Sequence, residues 1–179
     1  MNLPLTIQNK SGEKLHFMRI ITKDGIEYLE TESEVQPNAG PPMHIHHKQD
    51  ESLTVVSGRI GYQEPGGEKK YGGPGDTMLF KAGVAHKFWN AGNDVLHLTG
   101  YVSPANNMIY FLSEIYKSMD ENGGKPGIID AAFLLNRYKS EFAMLEIPSF
   151  VQRVVFPLAL FFGKISGKTK KFAGAPEAV

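Results

Sequence analysis

Residues 41–58 read PPMHIHHKQDESLTVVSG, and three chemically distinctive side chains, His44, His46 and Glu51, stand there just ahead of a β-rich run. In a strand, alternate side chains share a face, so His44 and His46 point one way while Ile45 and His47 point the other. That parity makes His-x-His a two-pronged metal clip. Glu51 lies five residues beyond His46, an odd separation that an unbroken strand would carry to the opposite face. Lys48, Gln49 and Asp50 must therefore bend or bulge if Glu51 is to join the pair, and their polarity allows it. The plainer alternative is that both imidazoles merely satisfy hydrogen bonds on a strand. His47, turned away by parity, is expected to be exposed or to sit behind the other two.

Working outward, PNAGPP (residues 37–42) cannot continue a ladder and must turn the chain. Before it, residues 14–36 predict two strands: KLHFMRIIT is rich in β-branched and aromatic residues, KDG supplies turn chemistry, and GIEYLETESEV starts with period-two alternation. After it come SLTVVSGRIGYQE with a turn at Gly58, the loop-like PGGEKKYGGPG, and three further strands in DTMLFKAG, AHKFWNAG and DVLHLTGYVSPA. Short strands at this spacing indicate an antiparallel barrel or sandwich. His16 and His97 read as ordinary strand histidines, although pairing could bring His97 near the centre.

Beyond residue 104 the periodicity changes. Met108, Phe111, Leu112, Ile115 and Met119 form one helical stripe, and ENGGKPG stops it. Pro126 opens a second helical segment in which Ile128, Ala132, Leu135 and Phe142 keep the spacing, and Pro148 opens a third that Gly163 ends. The expected organisation is a β unit over residues 1–104 and a helical extension over residues 105–179, packed on that unit or on a partner subunit.

Composition limits the chemistry. The 179 residues carry 19 Lys+Arg and 19 Asp+Glu, a formal net charge of zero that advertises no nucleic-acid partner. Cysteine is absent, so His and carboxylates are the strong metal ligands that remain. No secretory pattern is visible at the start, which makes the cytoplasm the default expectation. The apolar run Val154–Phe162 is half the roughly 20 residues a spanning helix needs and contains Pro157. The basic stretch after it could rest on an anionic surface, but a packed terminal helix is the favoured reading.

A second motif completes the picture. GDTMLFKAGVAHKFWN, residues 75–90, holds Gly75, Gly83, His86 and Asn90. Together the two motifs resemble those of the cupin superfamily, G-x5-H-x-H-x3,4-E-x6-G and G-x5-P-x-G-x2-H-x3-N. The first matches at His44, His46, Glu51 and Gly58, the second at Gly75, Gly83, His86 and Asn90. Two positions depart: Asn38 stands at the first glycine and Lys81 at the proline. Asn also tolerates left-handed backbone, and neither change touches a ligand.

The resemblance implies a mainly β fold, a cupin jelly roll or conical antiparallel β-barrel with a C-terminal α-helical appendage. It implies that His44, His46, Glu51 and His86 bind one divalent metal ion in the barrel mouth. Three imidazoles and a carboxylate suit Fe, Mn, Ni, Cu or Zn and leave positions open for substrate or dioxygen. The implied activity is that of a mononuclear dioxygenase of the quercetinase-like kind, with Glu51 a ligand and possible base; a small-molecule binding or sensing module, or an isomerase or decarboxylase, is the alternative. Phe88 could wall the pocket or be plain core, Trp89 is expected to face a helix or a second subunit, and the register of Met78 and Phe80 stays open. A homodimer is expected, with a small organic molecule as ligand.

Overall fold

The structure, a computed structural model, describes residues 2–179. Strands β1 (Leu5–Asn9), β2 (Glu13–Lys23) and β3 (Ile26–Val35) come first. The expected hairpin is β2–β3, with Lys23 opposite Ile26. Asp24 and Gly25 between them both have positive φ, 52° and 77°, the geometry whose twist matches that of paired strands. β1, which the sequence reading leaves unassigned, lines the outer edge of β2.

Next are β4 (His44–His46), β5 (Asp50–Ser57), β6 (Ile60–Gln63), β7 (Lys70–Gly72), β8 (Thr77–Phe80), β9 (Lys87–Asn90) and β10 (Leu96–Ser103). β7 lies inside the stretch expected to be loop. One six-stranded sheet has the order β1-β2-β3-β10-β5-β8, and a three-stranded sheet has the order β7-β6-β9. Ile60 and Phe88 of the small sheet pack into one buried cluster with Leu53, Val55, Met78 and Leu98 of the large one. The β unit is therefore two facing sheets of a jelly roll and not the closed conical barrel the resemblance implies. The links beyond the two sheets are short, backbone bonds of Asn38 and Ala39 with Asn90 and an isolated bridge between His44 and His86, so no continuous ladder runs round the unit.

Close backbone approach explains one glycine of the small sheet. Gly61 sits opposite Trp89, and a Cβ there would lie 2.3 Å from the indole Cε2. Gly61→Ala is expected to tilt the ring, shift the emission of the chain's one tryptophan, and cost about 1–3 kcal/mol. Fluorescence and thermal unfolding check this; an unchanged spectrum would show that the ring is not held there.

The C-terminal part contains α1 (Met108–Glu121), α2 (Ile128–Arg137), β11 (Phe142–Met144) and α3 (Phe156–Ile165). α1 buries Met108 and Phe111 as its stripe predicts. These join Phe17, Leu29 and Val102 of the large sheet, together with Leu134, Tyr138 and Phe142, in a second core. The second helical segment ends at Arg137, short of Phe142. Phe142 instead belongs to β11, which pairs antiparallel with β4. Its helical spacing is overridden by burial: its ring stacks on Phe111 with centroids 4.6 Å apart.

A π-helical turn, Val151–Val155, leads into α3, so the switch in hydrogen bonding coincides with Pro157, whose nitrogen cannot donate. Gly163 does not end this helix. It is buried inside α3, where a Cβ would lie 2.8 Å from Ile129, and the chain turns at Gly167, which has φ of 73°. No helix among the described residues is long and apolar enough to cross a membrane.

Candidate metal centre

The backbone brings the two motifs together. His44 and His86 exchange both N–H···O bonds, each 2.9 Å, which places their side chains on one face. Gly83 N–H donates to the His46 carbonyl at 2.7 Å, fixing the same segment further along. Glu51 arrives from β5, directly opposite Phe80 of β8. The bend demanded by the odd His46–Glu51 spacing is present, since residues 47–49 lie between β4 and β5 and belong to neither.

One nitrogen from each of His44, His46 and His86 and one oxygen of Glu51 all lie within 4.8 Å of one another, an arrangement that could hold a metal ion. Glu51 Oε2 is the hub: it is 2.8 Å from His86 Nε2 and 3.9 Å from Nε2 of both His44 and His46. The side chains are sheltered, with exposures of 1% at His86 and 14% at Glu51.

The outer ring nitrogens show what the centre accommodates. His44 Nδ1 is 2.9 Å from the Pro42 carbonyl and His86 Nδ1 is 3.0 Å from that of Val84. Each Nδ1 therefore carries a proton to donate, and in the neutral ring Nε2 can only accept. At His86 that acceptor faces a second acceptor, Glu51 Oε2. A proton between them, or a cation in their midst, resolves the conflict. Backbone carbonyls at Nδ1 are the usual orienting partners of metal-binding imidazoles, so the donor set fits a divalent cation. His46 differs, because its Nδ1 is buried with no partner among the described residues.

Electrostatics follow the packing. Burial pushes His46 down to about 3, Glu51 opposing and the neighbouring imidazoles assisting, so this ring is neutral. Burial also pulls on His44, but Glu51 and the Pro42 carbonyl outweigh it and leave its pKa raised. For Glu51 burial favours the acid, yet His44, His86 and His46 hold its pKa well below the usual carboxylate range. The hub is an anion ringed by imidazoles.

Several supporting residues had no clear signal in the sequence. Phe80 faces inward and stacks on His86, centroids 3.9 Å apart and planes 1° from parallel. Phe142 meets His46 edge-on at 5.6 Å. Lys81, the departure from the proline position, pairs with Asp50 at 2.8 Å, while Ala82 N–H donates to the same carboxylate. This pins the turn before His86 to the residue next to Glu51. Glu13 shares the inner face of β2 with Phe17 and accepts from Asn9 at 3.1 Å; burial raises its pKa against the contacts from Asn9 and Tyr116.

The other sequence candidates lie elsewhere. His47 and His97 are exposed, and His16 contacts Thr6 and Glu34. Phe88 and Met78 are core. Trp89 packs over Gly61 and edge-on against Tyr71, its neighbours in the small sheet. Asn38 has φ of 65°, the left-handed backbone expected at the substituted glycine. Asn90 is a clamp, donating to the Val35 and Asp94 carbonyls.

Residues 31–102 match the family model described as the cupin domain, the stretch that carries both motifs. Among curated proteins it is similar to the probable oxidoreductase virH of Hypocrea virens, 38% identical over 52 residues, which is 29% of this chain and 24% of that protein. Among solved structures it is similar to the polyketide cyclase RemF of Streptomyces resistomycificus, at 25% identity and a TM-score of 0.44, over 51% of this chain and 65% of that one. A predicted oxalate decarboxylase of Thermotoga maritima matches at 19% identity and a TM-score of 0.44, over 55% of this chain and 90% of that one. The match thus spans about a quarter of the curated relative and just under two thirds of the cyclase.

Proposed function

We propose that His44, His46, His86 and Glu51 hold one divalent ion of Fe, Mn, Ni, Cu or Zn, and that the protein is a metal-dependent oxygenase-like enzyme acting on a small organic substrate. The observation that carries this is the convergence of three Nε2 atoms on Glu51 Oε2, with two of the rings oriented through Nδ1 by backbone carbonyls. The likeness to a protein named as a probable oxidoreductase supports redox use of the centre.

A bound ion of this kind supplies Lewis acidity and, for the redox-active metals, one-electron chemistry toward dioxygen. The chain's residues do the rest. His86 is fixed by the Phe80 stack and the Val84 carbonyl. Glu51 is a carboxylate able to stay a ligand or to take a substrate proton at a carboxylate oxygen. The 1–14% exposure of the ligand side chains restricts access and favours a small substrate. It also favours a second reading, capture of a small ligand without turnover.

The test is anaerobic loading with each metal followed by oxygen uptake over flavonols, diketones and small enols. Uptake supports the oxygenase; product formed without oxygen moves the reading to isomerase or decarboxylase; a tightly held ligand with no turnover moves it to binding. We further infer a cytoplasmic homodimer. Sedimentation equilibrium at micromolar concentration tests the assembly, and a monomer there refutes it.

A further inference from the structure

α3 is apolar on two opposite faces. Phe156 and Gly163 are buried and pack with Ala159 and Leu160 toward Ala131 and Ala132 of α2. Leu158, Phe161, Phe162 and Ile165, spaced i, i+3, i+4, i+7, lie on the other side and are 53–71% exposed. Phe150 and Val154 continue the spacing through the π-helical turn and are also exposed. A helix apolar all round belongs in a buried setting, and nothing among the described residues covers the outer stripe.

Charge identifies the cover. Residues 147–176 contain five basic residues, Arg153, Lys164, Lys168, Lys170 and Lys171, and no Asp or Glu. Lys171 is spent on Asp130 at 2.8 Å; the other four are exposed and form no ion pair among the described residues. Pairing this face with a second copy of itself would set cation against cation. An anionic lipid surface takes both features at once, since acyl chains accept the aromatic and aliphatic stripe and headgroups accept the lysines.

We propose that the outer face of residues 150–170 is a peripheral attachment site for anionic lipid bilayers, with α3 lying in the plane of the interface. From Phe150 to Ile165 the stripe runs roughly 22 Å at helical rise, shorter than the ~30 Å hydrocarbon core, so it rests on the bilayer and does not cross it.

Vesicle co-sedimentation of the full chain tests this. Binding is expected to phosphatidylcholine vesicles containing phosphatidylglycerol, weakening with salt, and not to phosphatidylcholine alone. The double variant Phe161→Ser, Phe162→Ser, at exposed positions, should lose at least about tenfold in affinity, and Lys164→Glu with Lys168→Glu a similar factor, both with unchanged melting temperature. The proposal is overturned if the wild-type chain ignores anionic vesicles, if the variants bind as it does, or if the phenylalanine pair instead abolishes a dimer seen by sedimentation.

Discussion

His86→Ala is expected to weaken binding of a divalent ion by about 100-fold or more, because loss of an orienting partner alone costs 10–100-fold and this change removes a donor atom. The substitution also leaves Phe80 without the ring it stacks on and Glu51 Oε2 without its 2.8 Å neighbour. Competition against a chromogenic chelator measures the affinity, and the metal-dependent rise in melting temperature gives a second readout. A wild-type chain at 100 times its Kd gains about 2.7 kcal/mol from the ligand, and the variant should gain almost none. Affinity should fall as pH falls, since His44, whose pKa is raised by Glu51 and the Pro42 carbonyl against the pull of burial, must surrender its proton to bind. If His86→Ala keeps full stoichiometry and affinity, the ion is held elsewhere.

The second large effect is expected far from any ligand in sequence. Glu141 is fully buried, and its carboxylate accepts from Asn107 N–H at 3.2 Å, Asn107 Nδ2 at 2.7 Å, Gln49 Nε2 at 3.3 Å and Val179 N–H at 3.1 Å. It places negative charge at the N-terminus of α1, where the helix dipole favours it. It also ties down Gln49, in the bend that carries the chain from His46 to Glu51. Glu141→Ala strands the buried donors of Asn107 and Gln49 and is expected to cost about 3 kcal/mol. Glu141→Gln, which retains the shape but introduces two donors, should fall between. Urea unfolding measures both, and a loss under about 0.5 kcal/mol for alanine would mean the network is not a fastener.

The sequence makes the local parts of this arrangement legible. Strand parity joins His44 to His46, the odd interval to Glu51 demands a bend, expected at residues 48–50 and found one residue earlier at 47–49, and the β2–β3 hairpin follows from its turn residues. What depends on pairing across long intervals is not legible. Phe80 has two possible faces until β8 is set against β5. Lys81 reads only as a departure from the motif's proline until Asp50 is found beside it. Phe142 keeps perfect helical spacing with Leu135 and is nevertheless a strand residue, because its burial between Phe111 and His46 outweighs the local period. Closure of the barrel fails for a similar reason, since alternation within strands says nothing about whether the ladders between them run unbroken.

β4 is flanked on one side by residues 83–86 and on the other by β11. Those two neighbours are not made together. About 55 residues separate His86 from Phe142, so at the usual pace of synthesis the second follows the first by roughly 3–11 s. For that interval the strand bearing His44 and His46 has one unpaired edge, the condition under which strands recruit other chains. The yield of folded protein should therefore respond to translation speed between those codons, and a chaperone that shields the edge for a few seconds should raise it.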